Sequence, residues 1–258
     1  MWIFVLAGVN LALLLISLLF FMPKDFLKKA KFSISGVYTA FLRQAYPIII
    51  IAIVVAFHLL EVKFIDPRIT DWVNHDYASA IRGFEGDTVY WFSQHWTATL
   101  VYFFAIIYIA VYPFTLWFSP LYFIVNNEKK AMKSLAYGLL LIYVIALPFY
   151  LFLPITNVYT YYNVNSALES VIPSVETFLY STTTANNCLP SLHTAMTILI
   201  AYCVSITGNK KLTYFSYFTM VSVIIAVIYL SIHWITDVVT GALLAVGVIF
   251  ILKRFMKE

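Results

Sequence analysis

Charge is scarce in this chain. Lysine, arginine, aspartate and glutamate make up 11% of its 258 residues and apolar residues 62%. An ordinary soluble domain carries about 25% charged and roughly 45–50% apolar residues. A water-soluble globule of this size needs more polar surface, and a disordered chain could not keep so much apolar surface solvated. Cysteine is scarcer still, with Cys188 and Cys203 alone. A disulfide framework is therefore excluded, and Cys203 lies inside an apolar run, which argues against a bridge between the two. The interiors of the apolar runs also lack ionisable groups: His58, Glu61, His193 and Asp237 all sit toward segment ends. Ion-coupled transporters and channels usually place such groups at mid-membrane, so that class is disfavoured.

What is present is a set of long apolar segments. A hydrocarbon core of ~30 Å takes about 20 helical residues, and seven stretches qualify, near 2–22, 46–63, 97–124, 134–153, 191–207, 213–231 and 236–252. The expected fold is an all-α, integral-membrane helical bundle. The first segment has no basic residue ahead of it and no small-residue cleavage site, so it reads as a retained helix rather than a signal peptide. Residues 23–45 interleave apolar positions with Lys28, Lys29 and Lys31 and read as a basic amphipathic helix on the membrane surface. Residues 1–45 are thus an N-terminal addition, and 46–258 hold the remaining six helices. The linkers 64–96 and 154–190 are too long for tight turns and too polar to span.

The basic residues set the expected orientation. Alternation across seven helices groups the linkers 23–45, 125–133 and 208–212 with the tail 253–258. That side holds 13 of the 16 Lys and Arg, and the other side has Lys63, Arg68 and Arg82 with nine of the twelve carboxylates. The positive-inside rule places the N-terminus outside and the C-terminus in the cytoplasm of a multi-pass cell-membrane protein. The net charge of +4 is then a topology signal, with anionic lipid and not nucleic acid as its partner.

Two short sequences fall on the outer side. In Asn186-Asn187-Cys188-Leu189-Pro190-Ser191-Leu192-His193-Thr194, Pro190 suits a first helical turn. The amides that follow and the positive end of the helix dipole would form an anion site, with Ser191 adding a hydroxyl and His193 a titratable ring. In Ser231-Ile232-His233-Trp234-Ile235-Thr236-Asp237, His233 and Asp237 are four apart and share a helix face. A carboxylate on one imidazole nitrogen leaves the other free as nucleophile or base. His193, His233 and Asp237 could also hold a metal with one open position, but they flank a helix start suited to an anion. His58, His75 and His95 read as solvated interfacial residues.

Pro190-Ser191-Leu192-His193 resembles the P-S-x-H motif of the type 2 phosphatidic acid phosphatase superfamily, and His233-x-x-x-Asp237 the end of its S-R-x5-H-x3-D motif. Counted from the second helix, both fall in the slots of that family's six-helix core, so the resemblance spans roughly 46–252. The third motif's arginine position is Val227, and the K-x6-R-P motif has no match, Leu153 preceding Pro154. The run Tyr229-Leu230-Ser231-Ile232-His233 is similar to the inositol phosphorylceramide synthase-like branch, which also lacks that arginine. The resemblance implies a lipid phosphatase acting on a membrane lipid phosphate at the extracytoplasmic face. His233 would be the nucleophile that becomes phosphohistidine, Asp237 its orienting partner and His193 the proton donor. Ser191 would hold phosphoryl oxygens, and no metal or organic cofactor is expected. A phosphotransferase moving a head group such as phosphoinositol is the alternative, and a non-catalytic lipid-binding or transport protein the second. With the family's arginines missing, Arg82, between Gly83 and Gly86 on one side and Ala80 on the other, and Arg68 are the remaining candidates to bind phosphate.

Overall fold

The computed structural model describes residues 2–22, 34–180 and 183–256. The lysines of the expected surface helix, Lys24 to Lys31, lie outside the described residues. Its C-terminal part is helical as α2, Ile34–Arg43. The fold is all-α, 80% helical, and holds no strand among the described residues.

The seven apolar segments are helices α1 (Trp2–Phe20), α3 (Ala45–Val73), α6 (Ala98–Val125), α7 (Lys129–Phe152), α11 (Leu192–Ile206), α12 (Lys210–Tyr229) and α13 (Ile235–Phe255). Five of them are long and apolar enough to cross a membrane, and α1 and α11 are shorter apolar helices. Large apolar side chains such as Ile49, Ile53, Leu243, Val246 and Phe250 are exposed, as lipid contact requires.

The helix α3 does not stop near residue 63 but runs on to Val73. The cause lies in a π turn over Glu61–Ile65, where the Asp66 N–H reaches the Glu61 carbonyl. A second π turn over Ile107–Val111 interrupts α6, with the Tyr112 N–H on the Ile107 carbonyl. Each is followed two residues later by a proline, Pro67 and Pro113. Proline lacks an N–H and crowds the carbonyl four residues back, so the ladder widens by one residue here rather than breaking.

The helix α11 sits at the centre, packed against α6, α7, α12 and α13. Its Leu199, Ile200, Cys203 and Val204 are buried with Phe114, Phe118, Met132, Leu135, Ala245 and Val248. The 64–96 linker folds into α4 (Ala78–Glu85) and α5 (Thr88–Gln94), and the 154–190 linker into α8 (Val158–Tyr161), α9 (Ala167–Val171) and α10 (Val175–Leu179). The two linkers and the motif segments are tied together. The N–H of Tyr77 reaches Pro154 O, that of Ile155 reaches Asn186 O, and that of Asn157 reaches Ala185 O, at 2.8–2.9 Å. The Trp234 indole donates to Thr156 O at 2.9 Å. These bonds gather four chain segments at the end where α11 and α13 begin.

Candidate active site

The first motif segment builds its own helix start. Ser191, not Pro190, opens α11: it is the N-cap, and its hydroxyl oxygen accepts the Thr194 N–H at 3.3 Å. This satisfies one of the orphan amides of a helix start and leaves the hydroxyl proton free to donate. The N–H groups of Leu192 and His193 meet no backbone acceptor outside the helix among the described residues.

The second segment is shaped by a helix end. α12 stops at Tyr229, Ser231 takes a left-handed φ of 57°, and the Ile232 and His233 amides both return to Val227 O at 2.9 and 3.0 Å. Such a conformation is uncommon outside glycine and needs support from its surroundings. It turns the chain so that His233 precedes α13, whose first turn carries Asp237. Asp237 Oδ2 accepts the Trp234 N–H at 2.8 Å and faces His233 Nδ1 at 3.3 Å.

The two segments meet. Ser191 N–H donates to the Asp237 carbonyl at 2.9 Å, and His193 Nδ1 lies 3.1 Å from His233 Nε2. The close approach depends on Gly241, one turn beyond Asp237: a Cβ there would stand 2.4 Å from the Ser191 carbonyl oxygen. On the far side of His193, the Tyr108 hydroxyl lies 3.0 Å from Nε2. With Asp237 ionised, one assignment of donors satisfies the whole row. The carboxylate only accepts, so His233 would carry its proton on Nδ1 and accept at Nε2. His193 then donates from Nδ1 and accepts at Nε2, where the Tyr108 O–H is the donor. The row Tyr108–His193–His233–Asp237 is therefore internally consistent in neutral rings. Ser191 and Asp237 have no exposed surface, and His233 is buried.

The structure thus brings Ser191, His193, His233 and Asp237 together, as the resemblance of the two motifs implied. It does not bring either arginine to them. Arg82 is half-exposed, donates from Nε to Asp87 Oδ1 at 2.8 Å and lies over the Tyr162 ring. The Tyr162 hydroxyl donates to the same carboxylate. Hydrogen bonds from Arg82 and then Tyr162 hold the Asp87 carboxyl below its usual range. Arg68 is exposed on α3. It makes no ion pair among the described residues, because its neighbour Asp66 is buried and hydrogen-bonded by Thr70 instead.

Residues that no motif singled out complete the site. Tyr108 and Gly241 are two of them. Glu85 is a third: its carboxylate accepts the Ile235 and Thr236 amides, capping α13 from a different linker. Gly241 could have been noticed, being four residues after Asp237 on the same helix face. Tyr108 lies in an apolar run among 19 tyrosines and carries no local signal. Val227, at the missing arginine's position, is fully buried in an apolar cluster with Tyr108, Val223, Ala226 and Val238. A guanidinium there would be desolvated without a partner. Both cysteines are free and buried, and burial pushes the Cys188 thiol well up. Cys188 Sγ comes within 4.8 Å of ligand atoms of His233 and Asp237. Both His233 nitrogens already have partners, however, so an ion at that place would have to displace one of them.

The geometry defines a class: a multi-pass helical membrane protein with a buried Asp–His–His row at one end of the bundle. The chain belongs to the PAP2 superfamily, whose family model matches residues 83–251. That family is typically made of phosphatases and phosphotransferases. No curated protein and no solved structure matches the chain.

Proposed function

We propose that this chain is a lipid phosphatase that works at the extracytoplasmic face through a phosphohistidine. The observation that carries the reading is the unbroken hydrogen-bonded row from Asp237 through His233 to His193. A near-attack geometry places reacting atoms ~3–3.5 Å apart, so the phosphorus must enter between the two rings and part them. The lipid phosphate enters as the dianion, and His193 takes up a second proton from solvent as the rings part and the anion binds. His233 Nε2 attacks phosphorus, the P–O bond to the lipid breaks, and His193 Nδ1 gives the proton to the leaving oxygen. Asp237 stabilises the charge that forms on the His233 ring. Water then loses a proton to His193 Nδ1 and attacks phosphorus, releasing phosphate and restoring both His233 and the His193 imidazolium, which returns its extra proton to solvent as the product leaves. The phosphoryl oxygens are met by the free Leu192 and His193 amides, the Ser191 hydroxyl and the positive end of α11. The substrate is a lipid because the row lies at the ends of apolar helices long enough to cross a membrane.

The test is turnover by purified protein on a panel of lipid phosphates, with acid-labile, base-stable phosphate trapped on His233. Release of phosphate with no such adduct would sink the mechanism. A phosphotransferase is the second reading, favoured by Val227 in place of the arginine, as in the inositol phosphorylceramide synthase-like branch. Adding inositol to the same assay decides it: a phosphoinositol-type product in place of free phosphate marks the transferase.

In this reading Arg82 and Arg68 receive the phosphate at the surface, and Arg82 must exchange Asp87 for it. Arg82→Ala is expected to raise KM for the lipid several-fold and to change kcat little. Unchanged kinetics would remove Arg82 from the reading. The orientation is part of the proposal too. Cysteine at exposed Asn165 should react with an impermeant thiol reagent in intact cells, and cysteine at exposed Lys130 should not. The native Cys188 and Cys203, both buried, should stay silent in this experiment. The reverse pattern would put the site in the cytoplasm.

A further inference from the structure

Tyr108 is the group in the row that neither motif contains. It is almost fully buried and sits in the π turn Ile107–Val111 of α6. The extra residue of that turn re-aims the side chains around it, and such bulges are frequent at functional sites. Its hydroxyl, 3.0 Å from His193 Nε2, is the hydrogen-bonding partner of that nitrogen among the described residues. The rings of Tyr112 and His233 also pack against it, inclined, with centroids 5.4 and 5.3 Å away. The Tyr112 hydroxyl points instead to Met196 Sδ.

We propose that Tyr108 is a positioning residue that holds His193 with Nδ1 toward the reacting phosphorus in every protonation state of the cycle. The inference rests on the reading of His193 as proton donor and acceptor. In the resting row, His193 is protonated on Nδ1, and Tyr108 donates to Nε2. With the second proton aboard, His193 carries hydrogen on both nitrogens, and Nε2–H needs an acceptor. After the proton has passed to the leaving oxygen, Nε2–H remains and still needs one, while Nδ1 must stay bare to accept from water. A hydroxyl meets all three demands by rotating its hydrogen. An amide N–H or a carbonyl would meet only some of them. A buried imidazolium nitrogen without an acceptor is costly, and a ring with no anchor can turn its protonated nitrogen away from the substrate.

The test uses Tyr108→Phe in the full chain, which removes one oxygen and keeps the ring. Leaving-group release is followed in a single turnover on dioctanoyl phosphatidic acid, whose alkoxide needs a proton, and on p-nitrophenyl phosphate, whose phenolate scarcely does. Expected is a loss of ~10–10²-fold on the lipid with KM within about twofold, and a loss below about threefold on the aryl ester. An equal loss on both substrates, or none on the lipid, would overturn the role. A measurement independent of activity separates this from failure of the phosphatase reading. 15N NMR of histidine-labelled protein should show His193 Nε2 as a bare nitrogen that accepts a hydrogen bond, and Tyr108→Phe should move its resonance toward that of an unbonded imine nitrogen. If the Nε2 resonance were unchanged in Tyr108→Phe, the inference would be wrong whatever the enzyme's substrate. If the wild type turned over neither ester but the Nε2 resonance followed Tyr108, the positioning role would stand, and the function proposed above would fall.

Discussion

His233→Ala is expected to stop turnover while the protein stays folded in detergent. His233 stands in the middle of the row, the one ring with Asp237 on one nitrogen and the second histidine on the other. Removing an acid–base group typically costs ~10²–10⁴-fold, and removing the nucleophile also eliminates the covalent step. Asp237→Asn separates the parts of this effect. The substituted amide side chain would be nearly isosteric and could still accept the Trp234 N–H, so the α13 start should survive. It carries no charge to balance the His233 ring, and its NH₂ can present a donor to Nδ1, which would favour the wrong tautomer. In a catalytic triad of the same logic such a change costs ~10⁴-fold. Steady-state kinetics, with a melting curve to confirm folding, check both variants. Activity of His233→Ala within a factor of a few of wild type would end the phosphohistidine mechanism.

Gly241→Ala is the second large effect, and here two influences oppose each other. In a helix interior alanine is favoured over glycine by about 1 kcal/mol, so the change should help α13. The new Cβ, however, would stand 2.4 Å from the Ser191 carbonyl oxygen and 3.2 Å from Ser191 N and C. Those are backbone atoms that cannot swing aside as a side chain would. The Ser191 N–H to Asp237 O bond must lengthen, and the start of α11 moves with it. Overpacking of this kind costs ~1–3 kcal/mol, so the stability change should be small. A displacement of about 1 Å at reacting groups can cost ~10²-fold in rate, and His193 is two residues from Ser191. The expected result is a folded protein with turnover lowered by about two orders of magnitude. Gly247→Ala is the control: it is on the same helix with nothing within 4 Å of its Cβ, so activity should be unchanged. Equal activity in the two variants would show that the Ser191–Gly241 contact does not position the site.

Much of the architecture was legible in the sequence, because it depends on segment length and polarity alone. Seven apolar segments became seven helices, since in a membrane each backbone N–H and C=O must be satisfied within its own segment. The i, i+4 pairing of His233 with Asp237 was legible for the same kind of reason: helix geometry fixes it locally. The extension of α3 to Val73 was not, because the polar stretch after residue 63 reads as a linker, whereas a π turn lets the helix continue past Pro67. What only the tertiary structure decided are the contacts between segments far apart in the chain. Tyr108 meets His193 across 85 residues, and Glu85 caps α13 across 150. Arg82 was expected to fold toward the site, yet its guanidinium holds Asp87, five residues away. Nearby opposite charge at a solvent-exposed position sets where a long side chain lies, and periodicity carries no record of it. Composition and spacing determined that this is a helical membrane protein with two histidines and a carboxylate at one end. The packing of α6, α11 and α13 determined which neighbour each nitrogen of the two histidines faces, because that depends on which donors and acceptors stand within hydrogen-bonding reach of each ring.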